Sequence, residues 1–166
     1  MPVTTWPVDG ELQVIRRAFE AAFRRECECT DPGGLQDEVS NMLHHTYRLG
    51  ELLSRRWKAL EPHLTKAEYG RRLMTVPGAL GALWIRCYDT HQVASVTTLS
   101  SVYSEVDTAL YGVLTWQPLC VMTFINLPKG TYRSDDYQAH LATKPVLDSL
   151  KAVFNGMADL LLGLSQ

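Results

Sequence analysis

Residues Val93–Trp116, "VASVTTLSSVYSEVDTALYGVLTW", decide which fold this chain can have. Their valines, threonines and tyrosines have the composition of strands. Their spacing says otherwise. Val93, Val96, Leu99, Val102, Val106, Leu110 and Val113 recur at three- and four-residue steps, the period of one helix face. Seven positions in phase outweigh local propensity, so the spacing predicts a helix that ends before Pro118, with residues 92–127 the part of the chain that could be partly β. The apolar run that follows, "LCVMTFINLP" (Leu119–Pro128), fits a buried helix or a strand equally, because a short apolar stretch has no readable period.

The flanking sequence is helical in pattern throughout. Leu12, Ile15, Phe19, Ala22 and Phe23 form one stripe between Glu11 and Glu28, with Asp9 as the expected N-cap and residues 1–8 as an extended, proline-containing arm. "TDPGG" (Thr30–Gly34) reads as a turn. Val39, Met42, Thr46, Leu49, Leu53 and Leu60 then run along one side of Leu35–Glu61. Arg56 interrupts that seam and Trp57 takes over the contact; Pro62 ends it. Thr65-Lys66-Ala67-Glu68 has capping-box spacing and starts a short helix that Val76-Pro77-Gly78 stops. "GALGALWIRCYDTHQ" alternates small and large apolar residues, the pattern of a buried, closely packed helix. Ser134 caps a segment reaching His140, and Thr143 with Pro145 opens a last helix whose face is Val146, Leu150, Val153, Phe154, Met157, Leu160, Leu161 and Leu164. The expected fold is an all-α, single-domain irregular bundle of about five to seven helices spanning residues 1–166.

Composition narrows the function classes. A chain of 166 residues with 46% hydrophobic and 20% charged residues can bury a core unaided and is not a disordered segment. Its net charge of −2 gives no global attraction to nucleic acid or an anionic membrane. Eleven of the 16 basic residues precede residue 73, among them four Arg-Arg pairs, but eleven acidic residues share that region and cancel them. Two expectations follow. The bland one is a mixed-charge solvated helix surface; the sharper one is a phosphate track made by Arg16, Arg17, Arg24, Arg25, Arg55 and Arg56. No charged-then-apolar leader opens the sequence and its longest apolar run is too short to span a bilayer, so neither export nor a membrane partner is expected. Four cysteines without regular spacing fit a reducing, cytoplasmic setting.

Three chemistries can be weighed from spacing. There is no Gly-Lys-Ser/Thr phosphate loop and no Gly-x-Ser-x-Gly elbow, so neither a nucleotide cofactor nor an activated serine is indicated; no cofactor is expected. Cys27, Cys29, Cys87 and His91 add up to a Cys3His set, and Cys87 and His91 have helical ligand spacing, although Cys27-x-Cys29 is tighter than zinc knuckles use. Since cysteine is often buried without any metal, and Leu80, Leu83, Trp84 and Cys87 share one stripe, the expectation is a packed thiol and no metal. Arg86 lies off that stripe, with Asp89 or Asp107 as its expected partner.

An arginine followed by a histidine, with four to six residues between them, resembles the motif of HEPN-family ribonucleases, small all-helical domains that pair so that two motifs meet across a dimer. Arg56/His63, Arg86/His91 and Arg133/His140 have this spacing. Pro62 separates the first pair, and the second is out of phase on a continuous helix. The third shares a helical face and precedes the last helix, where the family places its motif. What the resemblance implies is metal-independent RNA cleavage, His140 moving protons and Arg133 steadying charge on the scissile phosphate. The family's asparagine or aspartate after the arginine is Ser134 here. Against these, the apolar stripes and the terminal "LLLGLSQ" offer more hydrophobic surface than one small bundle needs. The leading expectation is therefore a non-catalytic intracellular interaction protein (adaptor, regulator or assembly subunit) that self-associates through helix faces or binds a protein partner.

Overall fold

The computed structural model describes residues 8–29, 31–89, 97–103, 110–121 and 133–164. Among them run six α-helices: α1 (Val8–Glu28), α2 (Pro32–Leu60), α3 (Lys66–Leu73), α4 (Ala79–Asp89), α5 (Ser134–His140) and α6 (Val146–Gly163). Between α4 and α5 lie two strands, β1 (Thr97–Tyr103) and β2 (Leu110–Trp116), followed by a single 3-10 turn at Leu119–Val121. The fold is an irregular all-α bundle with one small two-stranded sheet as an accessory.

α1 and α2 form an antiparallel pair, fixed at one end by Arg25 with Glu38 and at the other by Arg55 with Glu11. Leu12, Ile15, Phe19 and Ala22 of α1 are buried, as the stripe requires. Phe19 stacks on Phe154, which seats α6 against α1. α2 begins at Pro32, one turn earlier than the seam indicates. Asp31 is the reason: its carboxylate accepts from the Gly34 N–H, and Pro32 tolerates the first helical position because it has no N–H to satisfy. The Thr65/Glu68 capping box forms as the spacing implies. Trp57 is buried and stacks edge-on with Tyr69, so it does replace Arg56 in the seam. α4 is the most enclosed helix, with Ala79, Leu80 and Ala82–Ile85 all buried. The buried residues of α1–α6 and β2 belong to one contiguous cluster.

Four local expectations need correction. Asp9 lies inside α1, which starts at Val8; residues 1–7 of the expected arm are outside the described residues. Arg133, not Ser134, occupies the cap position of α5. Thr143 does not open the last helix: it takes a left-handed φ of 65°, a conformation that β-branched residues resist, and donates its N–H to the Trp116 carbonyl. The largest correction falls on the opening stretch, which holds a hairpin where the spacing predicts a helix. Thr97 pairs with Trp116 and Tyr103 with Leu110. The reason is tertiary. The 143–145 segment lies along β2, with Trp116 N–H donating to Lys144 O and a bridge between Thr115 and Pro145, partners that no local period reveals. Leu114 and Trp116 are buried with half-buried Thr115 between them, a period of two.

Helices α4 and α5 meet backbone to backbone. A Cβ added at Gly81 would sit 2.6 Å from Tyr137 Cα and 2.7 Å from its nitrogen, atoms that cannot step aside. Beside this contact the Gly81 N–H, an unpaired donor of the first helical turn, bonds to Asp136 at 2.8 Å. Glycine-to-alanine changes in exposed helices usually help. Gly10→Ala, with nothing within 4 Å of the new Cβ, is expected to raise the melting temperature slightly. Gly81→Ala is expected to lower stability by about 2 kcal/mol or more through overpacking, read from paired thermal or urea unfolding curves.

Candidate functional site

Two places on the surface combine shape with chemistry. The first is an open groove of about 620 Å³ at the end of the bundle where α2 finishes, walled by Trp57, Val76, Leu160 and Leu164 with Arg72 and Asp159 at its edge. Leu160 and Leu164 are the tail of the α6 stripe, packed against the core but only partly covered by it. Arg72 lies over the Trp57 ring at 5.5 Å and pairs with Glu61, whereas Asp159 is exposed and has no ion-pair partner among the described residues. Leu60, one turn beyond Trp57, is 61% exposed.

The second lies where α2 crosses α4. His44 and Arg48 share one ridge of α2, four residues apart, with His45 beside it, and Arg86 reaches across from α4, its Nη2 3.5 Å from His44 Nδ1. The two imidazoles meet edge-on at 5.5 Å. Both are held below the ordinary histidine value, first by burial and then by neighbouring cations: Arg86 and Arg48 for His44; His44, Arg48 and Arg25 for His45. Arg86 Nε and His45 Nδ1 are buried with no hydrogen-bond partner among the described residues. Among the described residues Arg86 contacts His44; its expected partners, the Asp89 side chain and Asp107, lie outside the described residues. The doublet His44-His45 with Arg48 is visible in the sequence, but its meeting with Arg86 depends on the helix crossing.

The other candidate residues scatter. Of the arginines proposed for a phosphate track, Arg16 pairs with Glu20, Arg25 holds Glu38 with two nitrogens, and Arg55 pairs with Glu11. Arg24 donates to its own helix at Glu20 O, and Arg17 is exposed. Arg25 lies near the end of α1 and Arg55 beside its start, so these side chains form no single stripe. Arg133 and His140 stand at opposite ends of α5. Arg133 pairs with Asp135 and reaches Met74 Sδ; His140 Nε2 lies 3.7 Å from Asp136. Each is engaged with a different aspartate. Cys27 is exposed and Cys29 donates to Asp31 O. Burial and the Glu26 carboxylate push the Cys27 thiol up, away from the reactive thiolate. The Cys87 side chain and His91 lie outside the described residues, and no cluster of three metal-ligating side chains occurs among the described ones. No helix there is long and apolar enough to cross a membrane.

Neither protein-family models, curated proteins nor solved structures gave a match to this chain.

Among the described residues Glu26 is the one buried carboxylate, 6% exposed at the end of the α1 seam. Burial raises its pKa from 4.5 to about 6. The folded chain therefore holds this proton more tightly than the unfolded chain, and stability falls as pH rises from 4.5 through about 6. Glu26→Gln should raise the melting temperature above that window by about 2–4 °C, the effect of about 1 kcal/mol in a domain of this size. Melts recorded below the window should show no such gain. For the α5 pair, RNA incubated in EDTA is expected to stay intact; cleavage that disappears in His140→Ala would move the functional site to Arg133 and His140.

Proposed function

We propose that this protein is a non-catalytic interaction module that self-associates through the groove at the end of the bundle. The supporting observation is the groove itself: aromatic and aliphatic walls with Arg72 and Asp159 both in the lining, the aspartate without an ion-pair partner among the described residues. Such a patch suits a second copy of itself, because a two-fold axis lays Arg72 of each protomer beside Asp159 of the other while Leu160 and Leu164 pack at the centre. A stable dimer needs roughly 800 Å² buried per partner, so the interface extends beyond the groove over the last turn of α6 and the exposed Leu60. The free thiols of Cys27, Cys29 and Cys120 suit a reducing, cytoplasmic setting.

Light scattering coupled to gel filtration tests this. The wild-type chain is expected to run as a dimer, and Leu160→Glu or Leu164→Glu to run as a folded monomer. Val14→Glu, at a position 58% exposed on α1 and outside the groove, should leave the dimer intact. A wild-type chain that stays monomeric at high concentration, or a dimer untouched by both groove variants, removes the proposal.

A further inference from the structure

The α2–α4 crossing holds two half-buried arginines, whereas Arg17 and Arg24, which also have no carboxylate partner among the described residues, stand exposed on α1. Arg16, Arg25, Arg55, Arg71, Arg72 and Arg133 each have a carboxylate within ion-pair distance. Arg48 and Arg86 are half-buried and have none among the described residues. Arg86 is set differently from the paired arginines: its Nε is sunk beneath the surface while an Nη faces His44 in the open. A half-buried guanidinium with no counter-charge is costly, and an oxyanion is the ligand that removes the cost.

We propose that Arg48, Arg86 and His44 form a binding site for a phosphate-type oxyanion. The chemistry fits each group. Arg86 offers a planar fork to two phosphate oxygens, Arg48 a second guanidinium from one helical turn beyond His44, and the exposed imidazole a further N–H. Among the described residues the acid that acts on His44 is Glu51, its weakest contributor; on the α1 side, the Arg25 charge is already occupied by Glu38. The site stands apart from the groove, thirteen residues along α2 from Trp57 and so about 20 Å away at the helical rise. It does not depend on self-association.

The experiment is titration of the full-length chain with inorganic phosphate, followed by histidine proton resonances and by calorimetry, against chloride at matched ionic strength. A second arm uses a short single-stranded RNA, separating a free phosphate from a phosphodiester backbone as the source of the oxyanion. Expected is saturable phosphate binding that shifts the His44 resonances and weakens about tenfold in Arg86→Ala and in Arg48→Ala, the loss of one charge-assisted contact. Arg86→Lys keeps the charge but not the fork and should weaken binding nearly as much. His44→Gln, an exposed change, tests the site should an arginine variant fail to fold. Arg17→Ala should change nothing. Phosphate that does not bind, or binds equally well in Arg48→Ala, Arg86→Lys and His44→Gln, overturns the assignment. Tighter RNA binding sensitive to the same variants assigns the oxyanion to a phosphodiester.

Discussion

The second half of the chain is organised by the contact between Gly81 and Tyr137. Because position 81 has no side chain, α5 can lie directly on the backbone of α4. That proximity lets Asp136 cap α4 from another element, satisfying a first-turn N–H that the chain around Pro77-Gly78 leaves open. It also drives Tyr137 into the core between Trp84 and Trp116. There the phenol donates to Gln117 O at 2.6 Å, and burial pushes its pKa well above the ordinary tyrosine value. The Trp116 indole in turn donates to Ser149 on α6. One missing methyl group thus couples α4, α5, the hairpin and α6.

These couplings explain which parts of the architecture the sequence makes legible. α1, α2 and α6 bury long stripes against neighbours, and a stripe of five or more positions is a local signal with one solution. Leu160 and Leu164, continuing the α6 stripe past the point where the core can cover them, were legible too as surplus apolar surface. The hairpin was not. Its helical spacing runs through Val106, between the strands, and within each seven-residue strand there are too few apolar positions to separate one period from the other. What decides for strand is the pairing of β2 with residues 143–145, some thirty positions away. The left-handed Thr143 belongs to the same set: its geometry answers to Trp116, not to the helix that follows.

The charged surface divides in the same way. A net charge of zero over the first 72 residues is plain from composition, and the ion pairs along α1, α2 and α3 carry it out residue by residue, through glutamates placed across helices as well as along them. Exposed pairs of this kind contribute little stability. Their consequence is to weaken the field of the arginine doublets, since one arginine of each α1 doublet, Arg16 and Arg25, is paired with a glutamate. Sequence spacing can count the arginines and glutamates but cannot show which arginine is left over. Arg86 meets His44 only through the crossing of α4 on α2, which sets Leu83 against Gly50 and lets the long Arg86 side chain reach back to His44.

The same crossing sets where that charge stands. At Gly50 the α2 backbone lies close enough to α4 that an added Cβ would stand 3.2 Å from Leu83, and the Gly50 carbonyl also receives the Tyr69 hydroxyl. With the helices pinned there, Arg86 stands one turn along α4 from the close contact, half-buried beside His44. Close packing at one turn thereby places a polar group one turn further on. The apolar groove at the other end of α2 arises from the opposite circumstance, a helix end where α6 runs past its neighbours and Leu160 and Leu164 lack a full set of partners. A single long helix therefore carries a half-buried charge and an under-packed apolar surface. Each marks a place where the bundle's own contacts leave an interaction incomplete.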